Sequence, residues 1–330
     1  MFNQSFFKRY GKQIAFHLVS WCILLLLAAV AYTVMEYRQL AEKWYMPIDG
    51  QVQDSPKANP QPLPPRSLAS ATTPMKPFVA LILGIDSRDG EAARSDTIML
   101  AAIHPAKQSA YLISIPRDSY LNIPGRGYDK VNHAMAFGGP KLVKQSLEQF
   151  LGIEISRYVT VDFEGFRKAV DELGGVAIDV KKRMKYSDPS DDTFIDLQPG
   201  LQTLTGEQAL DYARYRKSDL GKEDSDYQRI DRQQEIMEAL VSKGTSPEVL
   251  PKMHSLLAIM GDHVKMDLTE GEIASLLFSF SDPKDNLLKT DTLIGRDERI
   301  WHNGVLGWYH LVPSAERERV QQQIRQVLSP

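Results

Sequence analysis

FVALILGID, residues 78–86, is the stretch that decides the fold of this chain. It is a continuous apolar run that leads into a turn-forming sequence, which is typical of a strand buried on both faces. Two more strand candidates follow, TIMLAAIH at residues 97–104 and SAYLISIP at residues 109–116. Because only PAKQ separates these two runs, they are predicted to form an antiparallel hairpin.

Helical and strand patterns then alternate. PKLVKQSLEQFLG (140–152) and EGFRKAVDELGG (164–175) have helical spacing, whereas RYVTVDF (157–163) and VAIDVKK (176–182) are typical of strands. This alternation predicts an α/β fold, a layered α-β-α domain with a central mixed sheet.

We place this domain at residues 77–245. Residues 246–330 mix helical patterns with loops, and they are predicted to be either a C-terminal part of the same domain or an appendage, with no role assigned.

The N-terminus predicts one transmembrane helix. Residues 14–35 contain no Asp, Glu, Lys or Arg, and a bilayer is spanned by about 20 apolar residues. Lys8, Arg9 and Lys12 precede the segment, so residues 1–13 are predicted to be a cytoplasmic tail and everything after the span to lie outside. A cleaved signal peptide is the alternative, since residues 29–31 read AVA.

Residues 36–76, which include a stretch rich in Pro, Ser, Ala and Gln, are predicted to be an extracytoplasmic tether.

Composition excludes several classes of function. The formal net charge of -3 over 330 residues gives no basic field that would favour nucleic acid as a partner. Cys22 is the one cysteine, which excludes an internal disulfide framework and a Cys-based zinc site.

Arginine and aspartate recur together at the ends of the first three strand candidates. The residues are Asp86 and Arg88, Arg94 and Asp96, and Arg117 and Asp118. One such Asp is usually a turn or cap former. Three strand ends that each carry an Arg and an Asp are better explained by a ligand site, because loops at strand ends converge on such sites.

A second group of arginines lies between residues 205 and 241. TGEQ at residues 205–208 has the spacing of a capping box and predicts a helix that ends near Arg214 and Arg216. A second helix is predicted from about residue 226 to 241.

On the wheel of this second helix, Arg229 and Gln233 fall within the apolar stripe and Arg232 at its edge. Asp231, Gln234, Glu235 and Glu238 fall on the opposite side.

Arginines that point inward need a compensating charge. One possibility is a set of internal salt bridges to Asp86, Asp96, Asp118 or Asp226. The other is an anion site, because the guanidinium fork matches phosphate oxygens. Several arginines with two Asp fit a pyrophosphate and a divalent cation, and Lys130 and Asn132 are further candidate contacts.

The ordered segments LILGIDSR, RSDTIML, SIPRDSY, DKVNHA, VDELGGV, LTGEQALDYARYR and SDYQRIDRQQ resemble the LytR–CpsA–Psr family over residues 78 to about 243. The resemblance implies a membrane-anchored phosphotransferase of a Gram-positive type bacterium, single-pass in the cytoplasmic membrane. It would move an anionic glycopolymer such as wall teichoic acid from a polyprenyl-pyrophosphate carrier to the C6 hydroxyl of muramic acid in peptidoglycan.

The resemblance also implies roles for single residues. Asp86 and Asp96 would hold Mg²⁺ or Mn²⁺, and Asp96, Arg117 and Arg94 would be catalytic, with Asp96 favoured as the base. The pyrophosphate contacts would come from a larger polar set, namely Arg88, Arg94, Arg117, Lys130, Asn132, Arg214, Arg216, Arg229, Arg232 and Gln233. Apolar residues of the α/β core would take the polyprenyl tail.

Two other functions remain open at this point. The same chemistry would allow a hydrolase that cleaves the polyprenyl-pyrophosphate carrier with water. A non-catalytic envelope regulator that binds the lipid is the other alternative.

Overall fold

The structure is a computed structural model that describes residues 43–48, 75–86, 94–189, 193–280, 288–302 and 304–329. The predicted cytoplasmic tail and the predicted membrane span at residues 14–35 lie outside these ranges, as does most of the predicted tether. Within the described ranges, no helix combines the length and the apolar character that crossing a bilayer requires.

The strands are β1 (Phe78–Asp86), β2 (Arg94–His104), β3 (Ser109–Ser114), β4 (Tyr120–Ile123), β5 (Gly127–Lys130), β6 (Arg157–Asp162), β7 (Val176–Val180), β8 (Met184–Asp188), β9 (Thr193–Leu197), β10 (Gly200–Leu204), β11 (Val264–Met266), β12 (Leu288–Thr292), β13 (Arg296–His302) and β14 (Val305–Leu311). The helices are α1 (Val131–Leu151), α2 (Phe163–Glu172), α3 (Gly206–Arg214), α4 (Asp226–Gly244), α5 (Met253–His263), α6 (Glu270–Ser279) and α7 (Ser314–Leu328).

The central sheet has the strand order β11-β6-β1-β2-β3-β12. Strand β2 runs antiparallel to both of its neighbours, β1 and β3, while β6 runs parallel to β1 and β12 parallel to β3. The predicted mixed sheet and its β2–β3 hairpin are therefore confirmed. Both edge strands, β11 and β12, come from residues 246–330, so this segment completes the sheet.

Helices cover both faces of the sheet, as the layered α-β-α prediction requires. On one face, apolar residues of β1, β2 and β3 pack against Val143 and Leu147 of α1 and against Val320 and Ile324 of α7. On the other face, Met237 of α4 packs over Met99, Ala101 and Leu112. Each apolar side chain that is fully buried in this way stabilises the fold by roughly 1.5–3 kcal/mol.

A second core lies beside the central sheet. Val176, Ile178 and Val180 of β7 pack with Leu204 of β10, with the β8–β9 hairpin, and with α2, α3 and α4. This core holds α3 and α4 against each other, and the segment that connects them carries the second group of arginines.

Helix α4 packs on two sides, which corrects the prediction that Gln234 belongs to a solvated face. Gln234 is buried, and its amide donates to Ser114 Oγ, the Asp291 carbonyl and Thr292 Oγ1 at distances of 3.0, 2.6 and 3.0 Å. Because α4 lies between the sheet and the second core, a helical wheel alone cannot assign one solvent face.

The described part of the predicted tether packs onto the folded domain. Trp44 is completely buried, and the Met46 amide donates to the Met266 carbonyl of β11 at 2.8 Å. The Tyr158 hydroxyl donates to the Met46 carbonyl at 2.6 Å. Residues 44–48 of the predicted tether therefore lie against the sheet edge at β11, where Tyr45 forms a parallel bridge with Met266. The tether over residues 36–76 stays a prediction.

Candidate functional site

The strand ends that carry arginine and aspartate meet at one edge of the central sheet. Asp86 at the end of β1 is paired with Arg94 at the start of β2. Strand β3 ends at the same edge with Ser114, and Arg117 follows three residues later. Strand β6, parallel to β1, also ends there at Asp162. Arg88 lies outside the described residues, and Arg94 is placed by its backbone alone.

A β-bulge sets the position of Asp96. Gly84 is paired with Thr97, but the next residue of β1, Ile85, is paired with Ser95, so Asp96 is the extra residue of β2. A Cβ at Gly84 would lie 3.0 Å from the Thr97 Cβ, so the lack of a side chain allows the close approach beside the bulge. Bulges of this kind re-aim a side chain next to many active sites.

Arg117 and Asp96 form the central ion pair of this edge. The Arg117 Nη1 lies 2.5 Å from Asp96 Oδ1, and Arg117 Nε lies 4.0 Å from Asp118 Oδ2. Lys130 Nζ contacts Asp118 Oδ1 at 2.7 Å. Burial alone would lower the pKa of Arg117, but the neighbouring carboxylates, chiefly Asp96, raise it above its ordinary value. Arg117 therefore stays a cation at the strand end.

Arg229 is buried within electrostatic reach of this pair. It is 6% exposed, and its Nη2 lies 2.7 Å from Asp226 Oδ1 without the alignment of a hydrogen bond. Burial lowers the pKa of Arg229; the carboxylates of Asp226 and Asp96 oppose this shift, whereas the positive charges of Arg117 and Arg216 add to it. An anion bound here would relieve the excess of positive charge.

Several buried polar atoms at the same edge have no hydrogen-bond partner among the described residues. They are Ser95 Oγ, Arg117 Nε, Asn132 Oδ1, Asp226 Oδ1 and Arg229 Nε. Asn132 belongs to the group because its backbone N–H donates to the Arg117 carbonyl at 3.2 Å. Buried polar groups are normally paired, so a cluster of unpaired ones indicates a place for a polar ligand.

The other predicted contacts lie around this centre. Arg214 ends α3, and its guanidinium lies 5.0 Å from the ring centroid of Phe163, the residue that follows β6. Arg216 is exposed in the connection after α3. Gln233 donates to the Ala213 carbonyl at 3.4 Å, which ties α4 to the end of α3.

Arg232 has a different environment from the rest of the set. It is 6% exposed, and its guanidinium donates to Asp224 Oδ2 at 2.8 Å, to the Tyr212 carbonyl at 2.9 Å and to the Tyr215 carbonyl. Asp224 is itself buried and also accepts from Lys182. The geometry therefore corrects the assignment of Arg232 to the pyrophosphate: its donors hold the α3–α4 connection in place.

The acidic connection between α3 and α4 supplies partners for two of the arginines. Its Asp224 fixes Arg232, and Asp226 lies against Arg229. The capping boxes at Thr205–Gln208 and Ser225–Gln228 start both helices, and the first of them was predicted from the sequence. No sequence signal distinguished Asp224 from its acidic neighbours.

Asp211 on α3, one turn before Arg214, predicts a pH effect on stability. Burial, followed by the charge of Glu207, raises the pKa of Asp211 to about 6, against about 4 in an unfolded chain. The folded state therefore binds the proton of the Asp211 carboxyl more tightly than the unfolded chain does. The contribution of Asp211 to the free energy of unfolding falls as pH rises from about 4 to 6. Asp211→Asn is expected to raise the free energy of unfolding by about 1–2 kcal/mol at pH 7.5 and not at pH 4.

Urea unfolding at the two pH values measures this difference. Asp219→Asn, which changes an exposed carboxylate in the following connection, is the matched control and is expected to leave both values unchanged. An equal gain for Asp211→Asn at pH 4 and pH 7.5 would show that titration is not its cause.

Asp86 and Asp96 are the carboxylates from which a cation site could be built. Among the described residues, no group of three or more His, Cys, Asp or Glu side chains is arranged to hold a metal ion. Mg²⁺ is commonly held by only one or two carboxylates together with substrate phosphates and water. The two Asp therefore fit a cation that arrives with a phosphorylated substrate.

Fold and site together define an α/β protein with a cluster of arginine and aspartate side chains at one edge of a mixed sheet. The model of the LytR_cpsA_psr family matches residues 32–326. The chain belongs to the LytR–CpsA–Psr family.

Similar proteins agree with this assignment. The polyisoprenyl-teichoic acid–peptidoglycan teichoic acid transferase TagU of Oceanobacillus iheyensis is 36% identical over 250 residues, which cover 74% of each chain. TagU of Enterococcus faecalis is 34% identical over 258 residues, covering 77% of this chain and 80% of the relative.

Solved structures show the same fold. The crystal structure of B. subtilis TagV has a TM-score of 0.66 at 28% identity and covers 77% of this chain and 97% of TagV. TagT bound to LIIa-WTA has a TM-score of 0.62 at 30% identity, covering 81% and 95%. The prediction that the chain is an enzyme, a glycopolymer phosphotransferase, is confirmed.

Proposed function

We propose that this enzyme transfers a wall teichoic acid-like glycopolymer from a polyprenyl-pyrophosphate carrier to the C6 hydroxyl of muramic acid in peptidoglycan. The relatives named as teichoic acid–peptidoglycan transferases support both substrates in general terms. The observation that carries the proposal is Arg229, which is buried and whose charge is opposed by the positive charges of Arg117 and Arg216, with Asp226 at 2.7 Å and Asp96 as the carboxylates that favour it among the described residues. A pyrophosphate supplies the missing negative charge.

In this mechanism the acceptor hydroxyl attacks the phosphorus that carries the polymer. A new P–O bond forms, the bond to the second phosphate breaks, and polyprenyl monophosphate leaves. Arg117 and Arg229 bind the phosphate oxygens and stabilise the charge that develops on them, with Arg214 and Arg216 at the rim. Asp96, whose side chain is 34% exposed, accepts the proton of the hydroxyl.

Asp86 and Asp96 would hold Mg²⁺ or Mn²⁺ in the proposed complex. When bound, the cation neutralises phosphate charge. Arg117 could donate to a phosphate oxygen through its buried Nε, which has no hydrogen-bond partner among the described residues.

We also propose that residues 14–35 anchor the enzyme in the cytoplasmic membrane with the catalytic domain outside. The length and the uncharged character of that segment support this placement. It brings the site to the side where a lipid-linked donor meets peptidoglycan. Apolar residues of the α/β core are proposed to take the polyprenyl tail.

Arg117→Ala tests the assignment of the phosphate site. Transfer is expected to fall by about 10²-fold or more, because a charged donor to the transition state is lost, while the melting temperature stays within a few degrees. The assay uses purified protein, a lipid-linked donor and Mg²⁺, with and without a peptidoglycan acceptor and with EDTA in a parallel reaction.

The same assay separates the possible activities. Product that appears only with acceptor supports transfer, whereas equal release of polymer phosphate into water would identify a carrier hydrolase. If Arg117→Ala attaches polymer to peptidoglycan at nearly the wild-type rate, Arg117 is not part of the phosphate site. Turnover by neither route in the wild type would favour a regulator that binds the lipid.

A further inference from the structure

The hairpin of strands β13 and β14 exposes large apolar side chains close to the candidate site. Trp301, Val305 and Trp308 are 71%, 68% and 59% exposed. Single exposed apolar residues are common on folded proteins, but a cluster of large ones marks a surface that meets a partner or a membrane. The hairpin is therefore a candidate interaction surface.

Both tryptophans belong to one face of the hairpin. Arg299 is paired with Trp308, and Trp301 is paired with Leu306, so these four residues project from the same side of the two strands. The two tryptophans are diagonal neighbours, roughly 7–8 Å apart at their Cβ atoms. The guanidinium carbon of Arg299 lies 5.8 Å from the centroid of the Trp308 ring. This tryptophan face thus combines two exposed rings and a leucine with one cation.

The inner end of the same face is fixed to the folded domain. His310 is 2% exposed, its Nδ1 lies 2.8 Å from Asp297 Oδ1, and its ring centroid lies 5.8 Å from that of Tyr227 on α4. The backbone N–H of His310 donates to the Asp118 carbonyl at 2.9 Å. The hairpin is therefore held directly beside the Arg117–Asp118 end of the candidate site, and the tryptophans lie nearer to its turn.

The composition of the tryptophan face is typical of a surface that meets lipid headgroups. Tryptophan is enriched where bilayers meet water, because its ring is apolar while its N–H stays hydrated. An arginine beside it can lay its stem on apolar surface and keep its guanidinium among lipid phosphates. The one acid of β13 and β14 that projects from this side, Asp297, contacts His310. A free carboxylate that would repel anionic lipid is thus missing from these two strands on this side.

The chain that precedes the domain is short enough to keep the hairpin within reach of a bilayer. Tyr45 forms a bridge with Met266 of β11, so residues 36–45 connect the proposed membrane span to the sheet. A connection of this length reaches at most about 35 Å. The hairpin follows β12 at the opposite edge of the sheet, about 24 Å from β11, because neighbouring strands are about 4.8 Å apart. The anchor therefore permits the hairpin to touch the membrane.

We propose that the tryptophan face of the β13–β14 hairpin docks on the outer surface of the lipid bilayer and inserts its two rings among the headgroups. The proposal rests on the proposed function in one respect, the membrane anchor at residues 14–35. Docking holds the Arg117–Asp118 end of the site beside the interface, at the level where the pyrophosphate of a lipid-linked donor lies. The hairpin orients the site toward its donor and supplies no catalytic group.

A fluorescent label on the hairpin of the full-length enzyme tests the docking. Cys22→Ser removes the one native cysteine, and Val305→Cys then carries an environment-sensitive fluorophore at an exposed position next to Leu306. Leu201→Cys, at a 77% exposed position on β10, carries the same label as the matched control. The enzyme is placed in nanodiscs of phosphatidylglycerol and phosphatidylcholine in equal parts, with and without lipids brominated close to the headgroup, and quenching of each label is measured.

The label at position 305 is expected to be quenched several-fold more strongly by the brominated lipids than the label at position 201. Trp301→Ser together with Trp308→Ser is expected to abolish this difference. The same double substitution should raise the KM for a long-chain lipid-linked donor in nanodiscs about tenfold, because docking no longer contributes to donor binding. The KM for a water-soluble donor with a short prenyl chain should stay at the wild-type value.

Equal quenching at the two positions overturns the proposal, and so does quenching at position 305 that persists without the tryptophans. A label that responds to added glycan strands and not to brominated lipid would assign the face to a glycan. A label that responds only when two copies share a nanodisc would assign it to a second copy of this chain; both results also overturn the proposal. If the wild type shows no transfer, the proposed function fails, and the quenching still decides about the docking.

Discussion

Arg229→Met is expected to abolish glycopolymer transfer while the protein stays folded. We expect kcat/KM to fall by about 10²–10³-fold, the usual effect of removing one strong donor from a transition-state anion site. The free energy of unfolding should stay unchanged or rise by about 1 kcal/mol. The reason is the lowered pKa of Arg229: burial and its cationic neighbours disfavour its charge in the unliganded fold.

Methionine keeps the length of the buried stem of Arg229 and removes only the charge. Asp226, which loses its neighbour, has a side chain that is 20% exposed and can be hydrated. Transfer assays with saturating donor and chemical denaturation of the same preparation give the two quantities. A large loss of stability together with the loss of transfer would mean that Arg229 is a structural cation and that the phosphate is bound elsewhere.

Much of this site could be predicted from sequence because it depends on strand ends and helix periodicity. Residues 78–86 and the hairpin after them fix which loops share a sheet edge, and that places Asp86, Asp96 and Arg117 together. The wheel of α4 predicts that Arg229 points inward, and it is buried. Both conclusions rest on local geometry, which the sequence determines directly.

What the sequence could not predict depends on register and on partners that are distant along the chain. The bulge that re-aims Asp96 arises from the pairing of β1 with β2, and neither strand reveals it alone. The sheet edges formed by β11 and β12 need contacts across more than a hundred residues. Arg232 shows the same limit, because a helical wheel gives the direction of a side chain and not the group that meets it.

Arg232→Met is expected to do the opposite of Arg229→Met: it should unfold the protein far more than it impairs the chemistry. Its guanidinium donates to two backbone carbonyls and to Asp224, whose side chain is only 2% exposed. Removing one partner of a buried ion pair costs about 3–5 kcal/mol, because the other charge is left without compensation. Lys182 still contacts Asp224, which places the expected loss near the lower end, at about 3 kcal/mol.

Arg183→Met is the matched control, since it breaks an exposed pair with Asp196 whose side chains are 46% and 49% exposed. Such a pair contributes less than about 1 kcal/mol, so the control should unfold close to wild type. Below its melting temperature, Arg232→Met should retain far more transfer activity than Arg229→Met. If Arg232→Met instead keeps wild-type stability and abolishes transfer, Arg232 belongs to the phosphate site. Its hydrogen bonds would then not be what holds the α3–α4 connection in place.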